Sequence, residues 1–261
     1  MEKLINKNYL ITGASGYLGS SISEEIAKQG GNLILVSQNK KKLFNLKNKL
    51  KSSFGVSIIC LSCNLLEINK VKKLVKKIKL TQKYLNGIVN CAYKGKTGQI
   101  KNIDEKDFSK ANNLNITSPF ILIKNLENLL VKGARKFNQL SSIVNVSSIY
   151  GVVSPESKNY FNNKDINPIH YGTTKSGMIQ MSRYLACNFN TKHIRVNTIT
   201  PGAIPHIFRK RNKLIRVKSR IPLGRFGSPS EIAKPIVFLL SEESSYITGA
   251  NLIVDGGWTS W

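Results

Sequence analysis

The chain has 261 residues, 41% of them hydrophobic, which is enough to bury one large core and points to a single domain. Forty Lys and Arg against 14 Asp and Glu give a formal net charge of +26 at pH 7, a balance that raises nucleic acid or a membrane surface as partners. Neither is expected: there is no nucleic-acid module or base-stacking strand set, and no run approaches the ~18 apolar residues of a membrane span. The charge reads as a solvated basic face in a Lys-, Asn- and Ile-rich composition, binding polyanions loosely but no specific nucleic acid.

In chain order, residues 9–11 form an apolar run of strand type, followed by a turn holding Gly13, Gly16 and Gly19 and a helical pattern through Ile22 and Ile26. Strand, glycine turn and helix are the context in which backbone closes on a pyrophosphate at a helix N-terminus. The second strand, 33–36, ends in Ser37-Gln38-Asn39-Lys40, and the third, 57–61, leads to Cys60, Cys63 and Asn64. Cys60 and Cys63 read as core thiols, since no second pair with metal-ligand spacing exists and no metal is expected. Residues 70–80 place Val71, Leu74, Val75 and Ile78 on one helical face. The fourth strand, 87–90, runs into Asn90-Cys91-Ala92. A helical stretch over 112–131 opens with Asn113-Leu114-Asn115.

The fifth strand, 143–146, ends in Ser147 and Ser148, where an open α/β sheet binds its ligands. Helix 172–190 follows, with Tyr171 and Lys175 one turn apart on one face. Alone, neither is poised to move protons near neutrality; a nearby ammonium favours the phenolate and lowers the Tyr pKa. Strand 194–199 precedes Pro201-Gly202, and strand 251–254 precedes Asp255-Gly256-Gly257. Alternating strands and helices predict an α/β fold with a doubly wound parallel sheet of Rossmann type. The N-terminus has no apolar signal core before Gly13, and the free-thiol pattern fits a reducing compartment, so a cytoplasmic location is expected.

In this order, the glycine turn, Asn90-Cys91-Ala92, Asn115, Ser148, Tyr171, Lys175, Pro201-Gly202 and Asp255-Gly256-Gly257 resemble the short-chain dehydrogenase/reductase family along essentially the whole chain. The resemblance implies a nicotinamide-dependent oxidoreductase acting on a carbonyl or secondary alcohol. Tyr171 would be its general acid/base, and Lys175 would hold the nicotinamide ribose and lower the Tyr171 pKa. Ser148 would orient the reacting oxygen, and Asn115 would support a water-linked proton relay. It implies cofactor contacts at Gly13, Ser15, Gly16, Tyr17, Leu18, Gly19, Ser37, Gln38, Asn64 and Leu65. Further contacts would come from Asn90, Ala92, Tyr171, Lys175, Pro201, Gly202 and Ile204. No carboxylate stands at residues 37–40 to repel a 2′-phosphate, which favours NADP(H) over NAD(H).

Tyr17 and Tyr93 stand where the family usually has glycine, and the interval from Ser148 to Tyr171 is longer than usual. The extra segment, about 154–168, carries Tyr160 and Phe161 and is expected over the active-site mouth; a substrate lid is expected at about 203–220. With the C-terminal sequence, these features resemble oxidoreductases of surface-glycan and flagellin-modification pathways, implying a sugar or activated sugar. Ser148, Tyr160, His206 and Arg209 are the candidate substrate contacts, with Arg209 and Arg211 suited to a phosphate. The alternative substrate is a 3-oxoacyl thioester on an acidic carrier protein. The non-enzymatic alternatives are a catalytically silent cofactor-binding regulator and a polyanion-binding protein. A homodimer or homotetramer is expected, with Met178, Ile179, Met181, Tyr184, Leu185, Phe189, Trp258 and Trp261 supplying intersubunit surface.

Overall fold

In the computed structural model, residues 3–160, 162–205 and 215–261 are described. Seven parallel strands form one sheet in the order β3-β2-β1-β4-β5-β6-β7. These are β1 (Asn8–Thr12), β2 (Asn32–Ser37), β3 (Ile58–Ser62), β4 (Gly87–Asn90), β5 (Ser141–Val146), β6 (Ile194–Pro201) and β7 (Asn251–Val254). All seven coincide with the predicted runs. The four residues of β4, the six of β5 and the eight of β6 are buried throughout, as a parallel sheet covered on both faces requires.

Alternate residues feed two separate cores. Tyr9, Ile11, Leu33 and Leu35 face α1 (Tyr17–Lys28), α2 (Lys40–Phe54) and the C-terminal helix Pro229–Leu240, through Ile22, Leu43, Leu50 and Ile236. Leu10, Ile34, Val36 and Ile88 face α3 (Ile68–Thr81) and α5 (Ser118–Phe137), through Val71, Ile78, Leu122 and Leu126. Between α3 and α5 lies α4 (Glu105–Asn112), started by a capping box in which Asp104 and Asp107 satisfy each other's backbone N–H groups. The next helices are α6 (Ile169–Asn188), the short α7 (Ile215–Lys218) and α8, the C-terminal helix already named.

The predicted helix at 112–131 differs at its start. Asn113–Thr117 form a turn of π-helix, after which Ser118 and Pro119 begin α5. The helices α2, α4 and α8 were not among the predicted segments. In α2 only Leu43, Leu46 and Leu50 are buried, so its apolar stripe is thin. In α8 Pro229 sits in the first turn and Pro235 in the interior, which disguises a helix whose Ile232, Ala233, Ile236 and Val237 are buried. Among the described residues, no helix is long and apolar enough to cross a membrane.

The predicted intersubunit surface is largely internal. Met178, Ile179, Leu185 and Phe189 are buried within the chain, and Trp258 packs with Ile149 and Ile221 at only 3% exposure. Tyr184 and Trp261 remain exposed.

Candidate active site

β1 lies between β2 and β4, so the chain turns outward on opposite sides at its carboxyl end and opens a crevice there. Gly13 leaves β1 with φ +68°, and a Cβ on it would lie 2.7 Å from the Ala92 Cα. A Cβ on Gly19 would lie 2.1 Å from the Gly13 carbonyl oxygen, so α1 starts against the turn only because no side chain intervenes. Thr12 Oγ1 accepts the N–H groups of Cys91 and Ala92 at 3.2 and 3.4 Å, which ties the ends of β1 and β4 together.

The crevice has a volume of about 540 Å³. Its walls include the turn from Gly13 to Gly19, Ser37 and Gln38, Asn64 and Leu65, Ala92 and Tyr93, and at the far end Tyr171 and Lys175. Ser15 and Ser37 share a hydroxyl hydrogen bond of 2.7 Å across its mouth. The cation beside this end is Lys42, on the first turn of α2, rather than Lys40; a linear reading of the strand end does not resolve which of the two the helix turns toward the crevice. The glycine cradle and the long crevice fit a dinucleotide. Among the described residues, Pro201, Gly202 and Ile204 do not line this crevice. Gly202 packs so closely on Asp255 that a Cβ would lie 2.5 Å from its Cα, and Ile204 packs against the α1/α8 core.

At the far end, α6 presents Tyr171 and Lys175 side by side. Lys175 is buried, and its ammonium donates to the Val146 carbonyl at 2.7 Å; Ser147 Oγ in turn donates to the Lys175 carbonyl at 2.9 Å. Burial holds the Lys175 pKa down to about 8. Burial also raises the Tyr171 pKa, opposed by a hydrogen bond with Ser148. This departs from the sequence expectation: the opposing pull comes from Ser148, while the Lys175 ammonium is engaged by a backbone carbonyl and lies 5.8 Å from the centre of the Tyr171 ring. Ser148 Oγ accepts the Tyr150 N–H at 3.2 Å, which fixes the hydroxyl beside the phenol.

Tyr93, one of the two departures from glycine, stacks at a tilt on Tyr171 with ring centres 4.6 Å apart. Behind them, Asn115 sits in the π-turn and donates to Thr174 Oγ1 at 2.8 Å. Its Oδ1 is buried with no partner among the described residues, an acceptor placed for a water. Asn90 is buried at the end of β4 and donates to Asn145 at 2.8 Å. Tyr160 reaches inward and bonds Tyr150. His206, Arg209 and Arg211, together with Phe161, lie outside the described residues. Among the described residues no group of His, Cys, Asp and Glu has the arrangement of a metal site. Sequence reasoning missed Lys42 as a crevice residue, because it is brought in by tertiary folding rather than by a motif.

Residues 13–259 match the family described as Enoyl-(Acyl carrier protein) reductase. The chain belongs to the short-chain dehydrogenase/reductase family. This dehydrogenase/reductase is 31% identical over 261 residues to 3-oxoacyl-[acyl-carrier-protein] reductase of Rickettsia conorii, covering 98% of each chain. Among solved structures, it resembles a short-chain dehydrogenase from Leptospira borgpetersenii with bound NAD+ at 27% identity and TM-score 0.85, covering 98% of this chain and 94% of that one. It also resembles L-sorbose reductase from Gluconobacter frateurii, complexed with NADPH and L-sorbose, at 26% identity and TM-score 0.84, with all of both chains covered. Fold and membership therefore agree with the reading from motifs, and the reductase is an NAD(P)-dependent oxidoreductase by family.

Proposed function

We propose that the protein reduces the ketone of a 3-oxoacyl thioester carried on an acidic partner, with NADPH preferred over NADH. The observation that carries the reading is the grouping of Tyr171 and Lys175 in the wall of a long crevice, with Ser148 hydrogen-bonded to Tyr171. The crevice residues from Gly13 to Gly19 would hold the pyrophosphate, Ser37 and Lys42 the phosphorylated ribose, and Lys175 the ribose near the reacting ring. When bound, the nicotinamide supplies or accepts the hydride. Tyr171, kept protonated by burial, gives its proton to the substrate oxygen. Ser148 holds that oxygen by donating its hydroxyl proton to it. Lys175 adds a positive charge beside the phenolate, and the free Oδ1 of Asn115 anchors a water through which the proton is replaced.

The thioester is supported by the curated relative's name and by the net charge of +26, which suits an acidic carrier. A sugar or activated sugar, as in surface-glycan synthesis, is the second reading, supported by the likeness to L-sorbose reductase and by the polar segment beside the site. A dimer or tetramer is part of the proposal, with exposed Tyr184 and Trp261 as its surviving anchors. The test is Tyr171→Phe, which keeps the ring and removes the proton. The variant should fold, bind NADPH and lose at least about a hundredfold in turnover; unchanged turnover would overturn the assignment.

A further inference from the structure

The segment 154–168 carries a chain of side-chain hydrogen bonds. Asn167 Nδ2 donates to Tyr160 Oη at 3.0 Å, and Tyr160 Oη donates to Tyr150 Oη at 2.7 Å. In this chain Tyr160 accepts from Asn167 and gives its proton to Tyr150. Tyr150 accepts from Tyr160, so its own proton is left to donate, and among the described residues it has no acceptor. Cooperative polarisation along such a chain strengthens the terminal donor.

Tyr150 is also placed to meet a ligand. It is two residues beyond Ser148, whose Oγ takes its backbone N–H. Its ring packs against the cluster of Ile149, Ile221 and Trp258. Together with Asn167 it lines a second cavity of about 830 Å³, which borders Gly172 and Thr173 rather than Tyr171. The Tyr150 carbonyl oxygen packs on Gly172, where a Cβ would lie 2.8 Å from it, so the chain ends against the turn of α6 that carries Tyr171. The segment is held in place: Glu156 pairs with Arg220 at 2.8 Å, and Arg220 lies over the Trp258 ring at 5.8 Å.

We propose that Asn167, Tyr160 and Tyr150 form a substrate subsite in which Tyr150 donates a hydrogen bond to a second oxygen, one to three bonds from the carbon that is reduced. This rests on the oxidoreductase reading above and narrows its substrate to a bifunctional carbonyl. Two sources share that chemistry: the thioester carbonyl of a 3-oxoacyl group and a hydroxyl of a ketose. A simple ketone has no such oxygen.

The experiment compares kcat/KM for the 3-oxobutanoyl thioester of N-acetylcysteamine, L-sorbose and cyclohexanone in the unaltered protein, Tyr150→Phe and Tyr160→Phe. The ratio of the preferred bifunctional substrate to cyclohexanone should fall about tenfold in Tyr150→Phe, mainly through KM, and by a smaller factor in Tyr160→Phe. Whichever arm shows the fall identifies the source of the second oxygen. A ratio unchanged in both variants, or an equal loss on all three substrates, overturns the subsite while leaving the oxidoreductase reading standing. Failure of the unaltered protein to reduce any of the three overturns both.

Discussion

Replacing Lys175 by Met should make the protein more stable and less active at once. The side chain is buried, and folding lowers its pKa from 10.5 to about 8. Such a shift corresponds to about 3 kcal/mol of penalty for keeping the ammonium in the folded state. Met fills a similar volume without the charge, but it forfeits the hydrogen bond to the Val146 carbonyl, worth about 1 kcal/mol. The net gain at pH 7 is therefore about 2 kcal/mol. Its pH dependence has a definite sign. Below about 8 both folded and unfolded chains carry the proton, and the full penalty stands. Between about 8 and 10.5 the unfolded chain holds more protons, so the unaltered protein gains stability as pH rises. Above 10.5 the penalty is gone, and the Lys175→Met variant should be the less stable of the two by about 1 kcal/mol. Urea unfolding of both proteins across this range measures the difference directly. A variant less stable at pH 7, or a gap that does not change with pH, would refute the account of Lys175 as a strained, functional cation.

Three other substitutions test separate parts of the structure. Gly19→Ala places a Cβ 2.1 Å from the Gly13 carbonyl oxygen, which no rotamer relieves; it should cost about 1–3 kcal/mol in unfolding experiments and weaken cofactor binding more than about tenfold. Lys42→Ala should lower NADPH affinity about fivefold in a fluorescence titration and leave NADH affinity within about twofold, since only a 2′-phosphate uses that cation. Trp258→Ala removes a ring that is 3% exposed and should destabilise the chain by about 3–5 kcal/mol even where it is monomeric, as read from its urea midpoint at low concentration.

The strands were legible because parallel strands covered on both faces are continuous apolar runs, such as Leu33 to Val36, ending in turn residues. Helices were legible only where an apolar stripe was dense, as in α3. The thin stripe of α2 and the prolines of α8 hid two helices that the sheet recruits through tertiary contact. Trp258 was misplaced for a related reason. Sequence shows that a large aromatic needs cover, but not whether the cover comes from a partner or, as here, from Ile149 and Ile221 of the same chain.

The candidate site divides along the same line. Gly13, Gly19, Ser148, Tyr171 and Lys175 could be named in advance because local chemistry restricts those positions: a backbone contact admits only glycine, and a four-residue spacing sets two side chains on one helical face. What spacing did not show is which neighbour tunes which group. An ammonium one turn from a phenol reads as its natural activator, yet the fold commits Lys175 to Val146 and assigns Ser148 to Tyr171. The reason is the register of β5. That strand delivers the Val146 carbonyl, Ser147 and Ser148 in succession to the same helix, so a single strand end anchors Lys175 by one atom, α6 by the next and Tyr171 by the third. Tyr171 and Lys175 are thus positioned by the end of a strand that precedes their own helix. Substitutions at Ser147 should consequently disturb Lys175 before they disturb the fold, since its hydroxyl holds the helix at the Lys175 carbonyl.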